Sequence, residues 1–364
     1  MRDLRLDLFR GLGLCMVAVD HIGRDPISKF TYQGLGFSDA AEVFVFISGI
    51  ACAFAYTSLL HKKGWRHLIY ALGARSARIY VYYSLSSVAM ILIVSAAATV
   101  WGHNIQINDY VGVMKNTDPI AAMWLALSLI SPSDLSDILV FYIVMTLIGV
   151  PMFLVGLRRD ATLTLVASAL VWAFSQKFFG SLLSLGDYWA LNPFAWQFLF
   201  GIGMFVGVKR KSPLHDWQWS LVPIAWTVVS VALVYKGIMR VSHHLGIEAD
   251  WLAISPSTLI EMKTNLSALR LIHFLSVALL VTRYLDPTSG LLRRPVLAPI
   301  INMGTRSLEV YSITVVLSLS AHIIVNIYHP HTIDKILIDC VIFAIMLLTM
   351  MACGSRTHRP LWHH

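Results

Sequence analysis

Arg10 and His21 lie eleven positions apart in LFRGLGLCMVAVDHIG, the first apolar segment of this 364-residue chain. An α-helix turns about 100° and rises about 1.5 Å per residue, so the two side chains share one helix face about 16 Å apart. That distance is about half a bilayer core, which suits a fixed cation and a titratable imidazole that serve one reaction across a membrane. Ionisable groups in such segments are costly and are usually retained for function.

A carboxylate behind His21 would orient the imidazole and stabilise the imidazolium that forms when His21 acts as a base. Glu42 follows Asp39 by three positions in FSDAAEVFVFISG, a spacing that equally predicts a capping box at a helix start. Asp20 is the other candidate, but adjacent residues of a helix point about 100° apart. We therefore favour Glu42 over Asp20 as the partner of His21 and keep both as candidate catalytic residues.

A pair of arginines follows in ARSARIYVYY, where Arg75 and Arg78 lie one helical turn apart and face the same way. Arginine forks match phosphate geometry, so the pair predicts a phosphate clamp together with Arg10. The same basic and aromatic residues equally fit anchoring at the inner membrane rim. Spacing alone does not separate these two interpretations.

Other polar residues lie inside apolar segments. The amides of Asn192 and Gln197 predict either helix–helix contacts or ligand binding. Arg306 and Glu309, three positions apart, predict an ion pair that neutralises both charges within the membrane. His273 is a lone histidine on an apolar helix and is expected to be structural.

Membrane-spanning helices must position these residues. The chain is 57% hydrophobic and 13% charged, with a mean hydropathy of +0.68, whereas soluble domains carry about 25% charged residues. Apolar runs recur over 1–364 without a linker or repeat, which predicts one all-α, polytopic membrane domain. About ten transmembrane helices are expected, near 7–23, 40–60, 79–101, 136–157, 161–178, 193–208, 218–236, 268–285, 306–327 and 334–353.

The charge distribution orients these spans. Most of the 28 Lys and Arg residues fall in alternate connections, so the positive-inside rule predicts that the N- and C-termini are both cytoplasmic. The net charge of +8 follows from that topology and needs no nucleic-acid partner. Residues 121–130 are too short to span and predict an interfacial or re-entrant piece. The outer-side cations are expected to be solvated loop charges; they are Arg24, Lys29, Arg240 and Arg270.

The first two landmarks resemble signature elements of the acyltransferase-3 superfamily of integral membrane acyltransferases. Arg10 to His21 matches the Arg-x10-His element at full spacing. The stretch from Glu42 to Gly49 is similar to the FFVLSG-like element, with Glu in place of the usual Asp.

Two later stretches resemble the same superfamily. The run from Arg78 to Tyr83 is similar to R-I-x-P-x-Y, although Val81 replaces the proline. The stretch from Gly304 to Tyr311 resembles the LG-x-x-S-x-x-x-Y element through Gly304, Ser307, Leu308 and Tyr311. Thr314 stands where many members have histidine.

FSDAAEVFVFISG and NPFAWQFLFGIGM resemble the OpgC group, named for succinylation of osmoregulated periplasmic glucans. The resemblance runs from residue 1 to about 320. It implies a bacterial inner-membrane enzyme that moves a succinyl or acetyl group from cytoplasmic acyl-CoA to a hydroxyl of a periplasmic glucan or other envelope glycan. His21 would be the general base, acyl-CoA the donor substrate, and no cofactor tightly bound. The implied donor-binding residues are Arg10, Arg75, Arg78 and Tyr83, and the substrate-binding candidates are Ser48, Asn192, Gln197, Arg306 and Tyr311.

Two other functional classes stay open. A proton-coupled transporter or exporter of a sugar or lipid would use Asp20 with His21, and Arg306 with Glu309, as a path. Transporters often show paired halves with broken helices, a symmetry that this sequence lacks. A structural membrane subunit would use its polar residues to hold helices together. The four cysteines lack C-x-x-C spacing, which favours neither a disulfide framework nor a metal site.

Overall fold

The computed structural model describes residues 3–23, 25–101, 118–130, 135–182, 189–209, 220–246 and 254–354. Regular structure within these ranges is helical throughout, which confirms the all-α expectation. Short 3₁₀ segments and one π-helical turn, Met145–Gly149, accompany the α-helices. The α-helices are α1 Leu4–Asp20, α2 Tyr32–Leu35, α3 Ala40–Trp101, α4 Pro119–Leu127, α5 Asp137–Val144, α6 Val150–Arg159, α7 Ala161–Leu182, α8 Pro193–Lys209, α9 Val222–Leu245, α10 Pro256–Thr264, α11 Ala268–Tyr284, α12 Ala298–Thr305, α13 Ser307–Tyr328 and α14 Thr332–Gly354.

Each of the ten predicted spans overlaps a helix among the described residues, but a count of ten spans is not confirmed. Among the described residues, five helices are long and apolar enough to cross a membrane, or six if α10 and α11, bent by 61°, form one broken span. The helices α1 and α8 have 17 residues each, about 26 Å, which is short of a hydrocarbon core of about 30 Å. The structure supports a multi-pass membrane protein, while the cytoplasmic placement of both termini stays a prediction.

The long helix α3 contains two predicted spans separated by a break at Gly64. Gly64 has φ 77°, a left-handed conformation that glycine adopts without a steric penalty. About 36 Å of helix separates Gly64 from Ala40 on one side and a similar length separates it from Ser87 on the other. The Oγ atom of Ser87 nevertheless lies 3.5 Å from that of Ser136. The next residue, Asp137, lines the same cavity as Ala40, so Ser87 and Ala40 lie at the same end of the bundle. The chain therefore reverses at Gly64, and the two halves of α3 run antiparallel.

The helix α1 packs closely against α12. A Cβ atom on Gly11 would lie 1.9 Å from the carbonyl oxygen of Ile300, and one on Gly304 would lie 1.8 Å from that of Asp7. Small residues of this kind let membrane helices approach with their backbones in contact. The crossing fixes the Arg10 end of α1 against the second half of the chain.

The helices α9 and α14 lie at the edge of the bundle. Their most apolar windows are 11% and 17% buried inside the protein, whereas those of α3 and α13 are each 61% buried. Apolar side chains exposed on α9 and α14 suit contact with lipid tails. The elements that carry the candidate chemistry, α1, α3, α5 and α13, lie at the centre.

Gly304→Ala should lower the free energy of unfolding by about 1–3 kcal/mol, because the added methyl group forces α12 away from α1. Gly237→Ala in α9 is the matched control, since an added Cβ there meets nothing within 4 Å. Both variants can be compared by denaturant unfolding in detergent micelles. Equal stability of the two variants would contradict the close crossing.

Candidate active site

A cavity of ≈ 270 Å³ lies at the end of α1 where His21 is located. Its lining comes from α1, the turn before α3, α5, α10 and α13, so residues distant in sequence meet there. The ionisable and hydroxyl groups in the lining include Asp20, His21, Asp39, Lys263 and Tyr311. Of the sequence-predicted residues, the structure thus brings His21, Asp20 and Tyr311 together.

His21 follows the last residue of α1, and its Nδ1 atom lies 2.8 Å from the carbonyl oxygen of Val17. A carbonyl oxygen accepts but cannot donate, so this contact assigns the imidazole proton to Nδ1. The Nε2 atom then keeps its lone pair. The arrangement is that of a histidine prepared to accept a proton on Nε2.

Glu42 does not serve as the partner of His21, which corrects the expected pairing. Its Oε1 atom accepts from Nε of Arg270 at 2.7 Å and lies 2.7 Å from Nη2. Its Oε2 atom accepts from the backbone N–H of Asp39 at 2.9 Å, and Oδ1 of Asp39 accepts from the N–H of Ala41. The capping box is therefore confirmed. A fully buried carboxylate requires a paired cation, and Arg270 supplies one.

Arg270 was expected to be a solvated loop charge and is instead 8% exposed. Its Nη2 atom lies 3.0 Å from Oδ2 of Asp39, which also lies 3.1 Å from Nζ of Lys263. Two carboxylates and two cations thus form a charge-balanced cluster behind the cavity. Burial opposes ionisation of Asp39, but Lys263 and Arg270 more than offset that cost and hold its pKa below the ordinary range.

Asp20 and Tyr311 complete the wall around His21. Oδ1 of Asp20 accepts a 2.6 Å hydrogen bond from the Thr31 hydroxyl rather than from the imidazole. The Tyr311 hydroxyl donates to the carbonyl oxygen of Leu135 at 2.6 Å, and its ring meets Phe44 edge-on. Both side chains are held in place while they face the cavity.

Arg75 acts electrostatically on Arg10, which lies at the other end of the helix face that it shares with His21, here called the α1 stripe. Arg10 lies 3.9 Å from Oδ1 of Asp7 and donates to the carbonyl oxygen of Ile47 over 3.4 Å, both long contacts. Arg75 is exposed on α3. Arg78 is exposed as well, one turn farther along. The phosphate clamp of Arg10, Arg75 and Arg78 stays a prediction, with Arg75 near enough to Arg10 for their charges to interact.

The family described as OpgC protein matches residues 2–358 of the chain. The chain belongs to the OpgC protein family. No curated protein and no solved structure matches it. The matched segment includes the cavity, the charge cluster and both arginines. Membership of this family indicates a membrane transferase that acts on glucans.

Tyr83 of this OpgC-family chain has a structural role that corrects its expected place at the donor. Its buried hydroxyl donates to the carbonyl oxygen of Ala126 at 2.8 Å, and Tyr80 donates to that of Leu127 at 2.9 Å. These bonds attach the end of α4 to α3, and the carbonyl oxygen of Ala126 also accepts from the backbone N–H of Leu129. Residues 121–130, expected to form an interfacial or re-entrant piece, thus include most of α4, which is attached to α3.

Asn192 and Gln197 form helix–helix contacts and do not line the cavity. Asn192 donates to Oδ1 of Asn265 at 2.9 Å and accepts from the N–H of Phe194. Gln197 donates to the carbonyl oxygen of Ser168 and accepts from its hydroxyl. Of the two sequence interpretations, the structure supports the helix–helix one, because each amide is engaged by a neighbouring element.

Arg306 lies at the break between α12 and α13, two residues after the crossing at Gly304. Within the described residues Arg306 and Glu309 form no ion pair, which corrects the expected one. Arg306 has φ −119° and ψ 37°, so the helical geometry that would align positions three apart is absent there. Its location is toward the Arg10 end of α1 rather than the cavity.

Three residues in or beside the site were missed by sequence reasoning. Lys263 lies in the last turn of the short helix α10 inside an expected outer loop, and no motif marks it. His322 lies 3.2 Å through Nδ1 from the carbonyl oxygen of Ile22, and Ser318 donates to that of Ala18 at 3.1 Å. The four-residue spacing of Ser318 and His322 on one face of a predicted span is a signal that could have identified this cap on α1.

The other outer-side histidine and cations have local partners. His273 lies 2.6 Å from the Ser38 hydroxyl through Nδ1 and stacks on Tyr32, in agreement with a structural role. Arg240 donates to the carbonyl oxygens of Lys29 and Gly34. Arg24 lies outside the described residues.

Arg270→Met should lower the unfolding free energy by about 3–5 kcal/mol, because it leaves the buried carboxylate of Glu42 without a cation. Arg283→Met, on an exposed position of the same helix, should change stability by about 0.5 kcal/mol or less. The double variant Arg270→Met/Glu42→Leu should recover part of the loss. Chemical denaturation in detergent measures all three, and a loss for Arg270→Met no larger than the control would exclude the cluster as a stabilising element.

Proposed function

We propose that this protein transfers an acyl group from a cytoplasmic acyl-CoA to a hydroxyl group of a periplasmic glucan. The observation that carries the proposal is His21, whose Nδ1–H is committed to the Val17 carbonyl while its imidazole lines a cavity shared with Asp20 and Asp39. Family membership supports a glucan substrate. The bacterial inner membrane is the location at which both substrates are within reach.

The donor would bind at the arginine end of α1. Arg10 and Arg75 are close enough for their charges to repel, and the Asp7 contact of 3.9 Å offsets that repulsion weakly. An anion between them would relieve the repulsion, and guanidinium groups bind phosphate through paired hydrogen bonds. From there the pantetheine arm would extend about 16 Å along the α1 stripe to His21.

The acceptor would bind in the cavity. Its ≈ 270 Å³ is smaller than a typical drug-sized pocket, so it suits one sugar unit of a glucan. The carboxylates of Asp20, Asp39 and Asp137 in the lining are suitable acceptors for sugar hydroxyl groups.

The proton removed from the sugar hydroxyl is returned to the leaving thiolate within the site. Nε2 of His21 takes the proton of the sugar hydroxyl while its oxygen attacks the thioester carbonyl carbon. The carbon–sulfur bond then breaks, and the thiolate takes the proton from the imidazolium. Burial and the charge of Lys263 oppose that imidazolium, whereas the carbonyl of Val17 and the negative end of the α1 dipole favour it. Base catalysis of this kind contributes about 10²–10⁴-fold.

The exporter alternative depends on a continuous path of ionisable residues. Asp20 is bonded to Thr31, and Arg306 lies toward the opposite end of α1. These two groups do not form one connected path among the described residues. Acyl transfer, in contrast, needs His21 and the polar groups that line the same cavity.

His21→Ala should lower acyl transfer by at least about 100-fold, because the base that takes the hydroxyl proton is lost. Purified protein, labelled succinyl-CoA or acetyl-CoA, and linear or cyclic glucan provide the assay, and comparison of the two donors identifies the acyl group. His331→Ala, at an exposed outer position, is the matched control and should retain activity. Undiminished transfer by His21→Ala in correctly folded protein would refute the assignment of His21.

A further inference from the structure

Tyr142 has a buried hydroxyl group that no described residue hydrogen-bonds. It lies on α5, one helical turn after Ile138, which lines the cavity. A buried hydroxyl without a partner costs about 1–3 kcal/mol, and a hydrocarbon environment offers no replacement. An unsatisfied group in this position is therefore a candidate for binding a polar ligand atom.

The Ser48 hydroxyl is a hydrogen-bonding neighbour of the Tyr142 hydroxyl, although the two groups do not reach full hydrogen-bond geometry. Ser48 is 8% exposed and follows Phe44 of the cavity wall by one turn of α3. Two hydroxyl groups on facing helices thus lie one turn inward from the cavity. Side chains one turn apart share a helix face, so both groups continue the lining in the direction of the arginines.

Arg10 and Arg75 mark the other side of this hydroxyl pair. Both guanidinium groups act electrostatically on Tyr142, and Arg10 donates to the carbonyl oxygen of Ile47, the residue before Ser48. The hydroxyl pair therefore lies between the predicted phosphate site and the cavity. Along the α1 stripe, this is the stretch that a donor arm would have to cross.

We propose that the Ser48 and Tyr142 hydroxyl groups bind an amide of the pantetheine arm of the donor, an inference that rests on the proposed acyl-CoA function. The arm is slender and carries two amides between its phosphate and thioester ends. An amide carbonyl accepts from the Tyr142 O–H, and an amide N–H donates to the Ser48 oxygen. The contact satisfies the orphaned hydroxyl and fixes how far the thioester reaches toward His21.

The backbone next to Tyr142 is suited to such a contact. The π-helical turn Met145–Gly149 begins three residues later, and single π-turns occur frequently at functional sites. The extra residue rotates the following α6 relative to α5. Tyr142 can thus face the seam between α1 and α3 while α6 packs elsewhere.

Tyr142→Phe should weaken binding of CoA to the full-length protein in detergent by about tenfold, the loss expected for one hydrogen bond. Binding of adenosine 3′,5′-bisphosphate, which lacks the arm, should be unchanged. Ser48→Ala should give a smaller loss for CoA alone. Tyr284→Phe, which removes an exposed hydroxyl at the end of α11, is the control and should bind both ligands normally.

The outcomes separate this inference from the proposed function. Unchanged CoA affinity in Tyr142→Phe, or an equal loss for both ligands, would overturn the amide contact even if the wild-type protein transfers acyl groups. Absence of acyl transfer by a wild-type protein that binds CoA would overturn the proposed function while leaving the contact supported. No CoA binding by the wild-type protein would overturn both.

Discussion

The buried ion pairs of Arg270 with Glu42 and Asp39 hold the site together. They join the start of α3 to α11 across 228 positions of sequence, and Lys263 extends the cluster to α10. Each charge is costly to bury alone, so the elements that carry them are constrained to one arrangement. That arrangement forms one wall of the cavity. His21 faces it from α1 without sharing its hydrogen bonds.

The first helix, α1, carries the Arg10 guanidinium and the His21 imidazole on one face. Its N-terminal half is fixed by the backbone contact with α12 at Gly11 and Gly304. The C-terminal end is fixed by Ser318 and His322, which supply partners for the Ala18 and Ile22 carbonyls. Rigid support at both ends keeps the distance between guanidinium and imidazole constant. A reaction with donor and acceptor on opposite membrane faces depends on such a fixed distance.

Local patterns in the sequence predicted local structure well. Apolar runs located the helices, and the Asp39–Glu42 spacing identified the capping box, because both depend on residues a few positions apart. Long-range pairing could not be read in this way. Nothing in the neighbourhood of Glu42 indicates Arg270, and nothing near Asn192 indicates Asn265. The Arg306–Glu309 prediction assumed continuous helix where the backbone breaks. The count of ten spans is not confirmed, because two predicted spans are joined in the 62-residue α3 and because α1 and α8 have only 17 residues each.

The central claim is that one site joins a donor from the arginine end of α1 to an acceptor at the His21 end. Purified protein in sealed vesicles tests this most directly, with glucan enclosed and labelled acyl-CoA added outside. The account predicts label on the enclosed glucan without release of free acyl group or entry of acyl-CoA. Label that appears only when both substrates are on the same side of the membrane would contradict it.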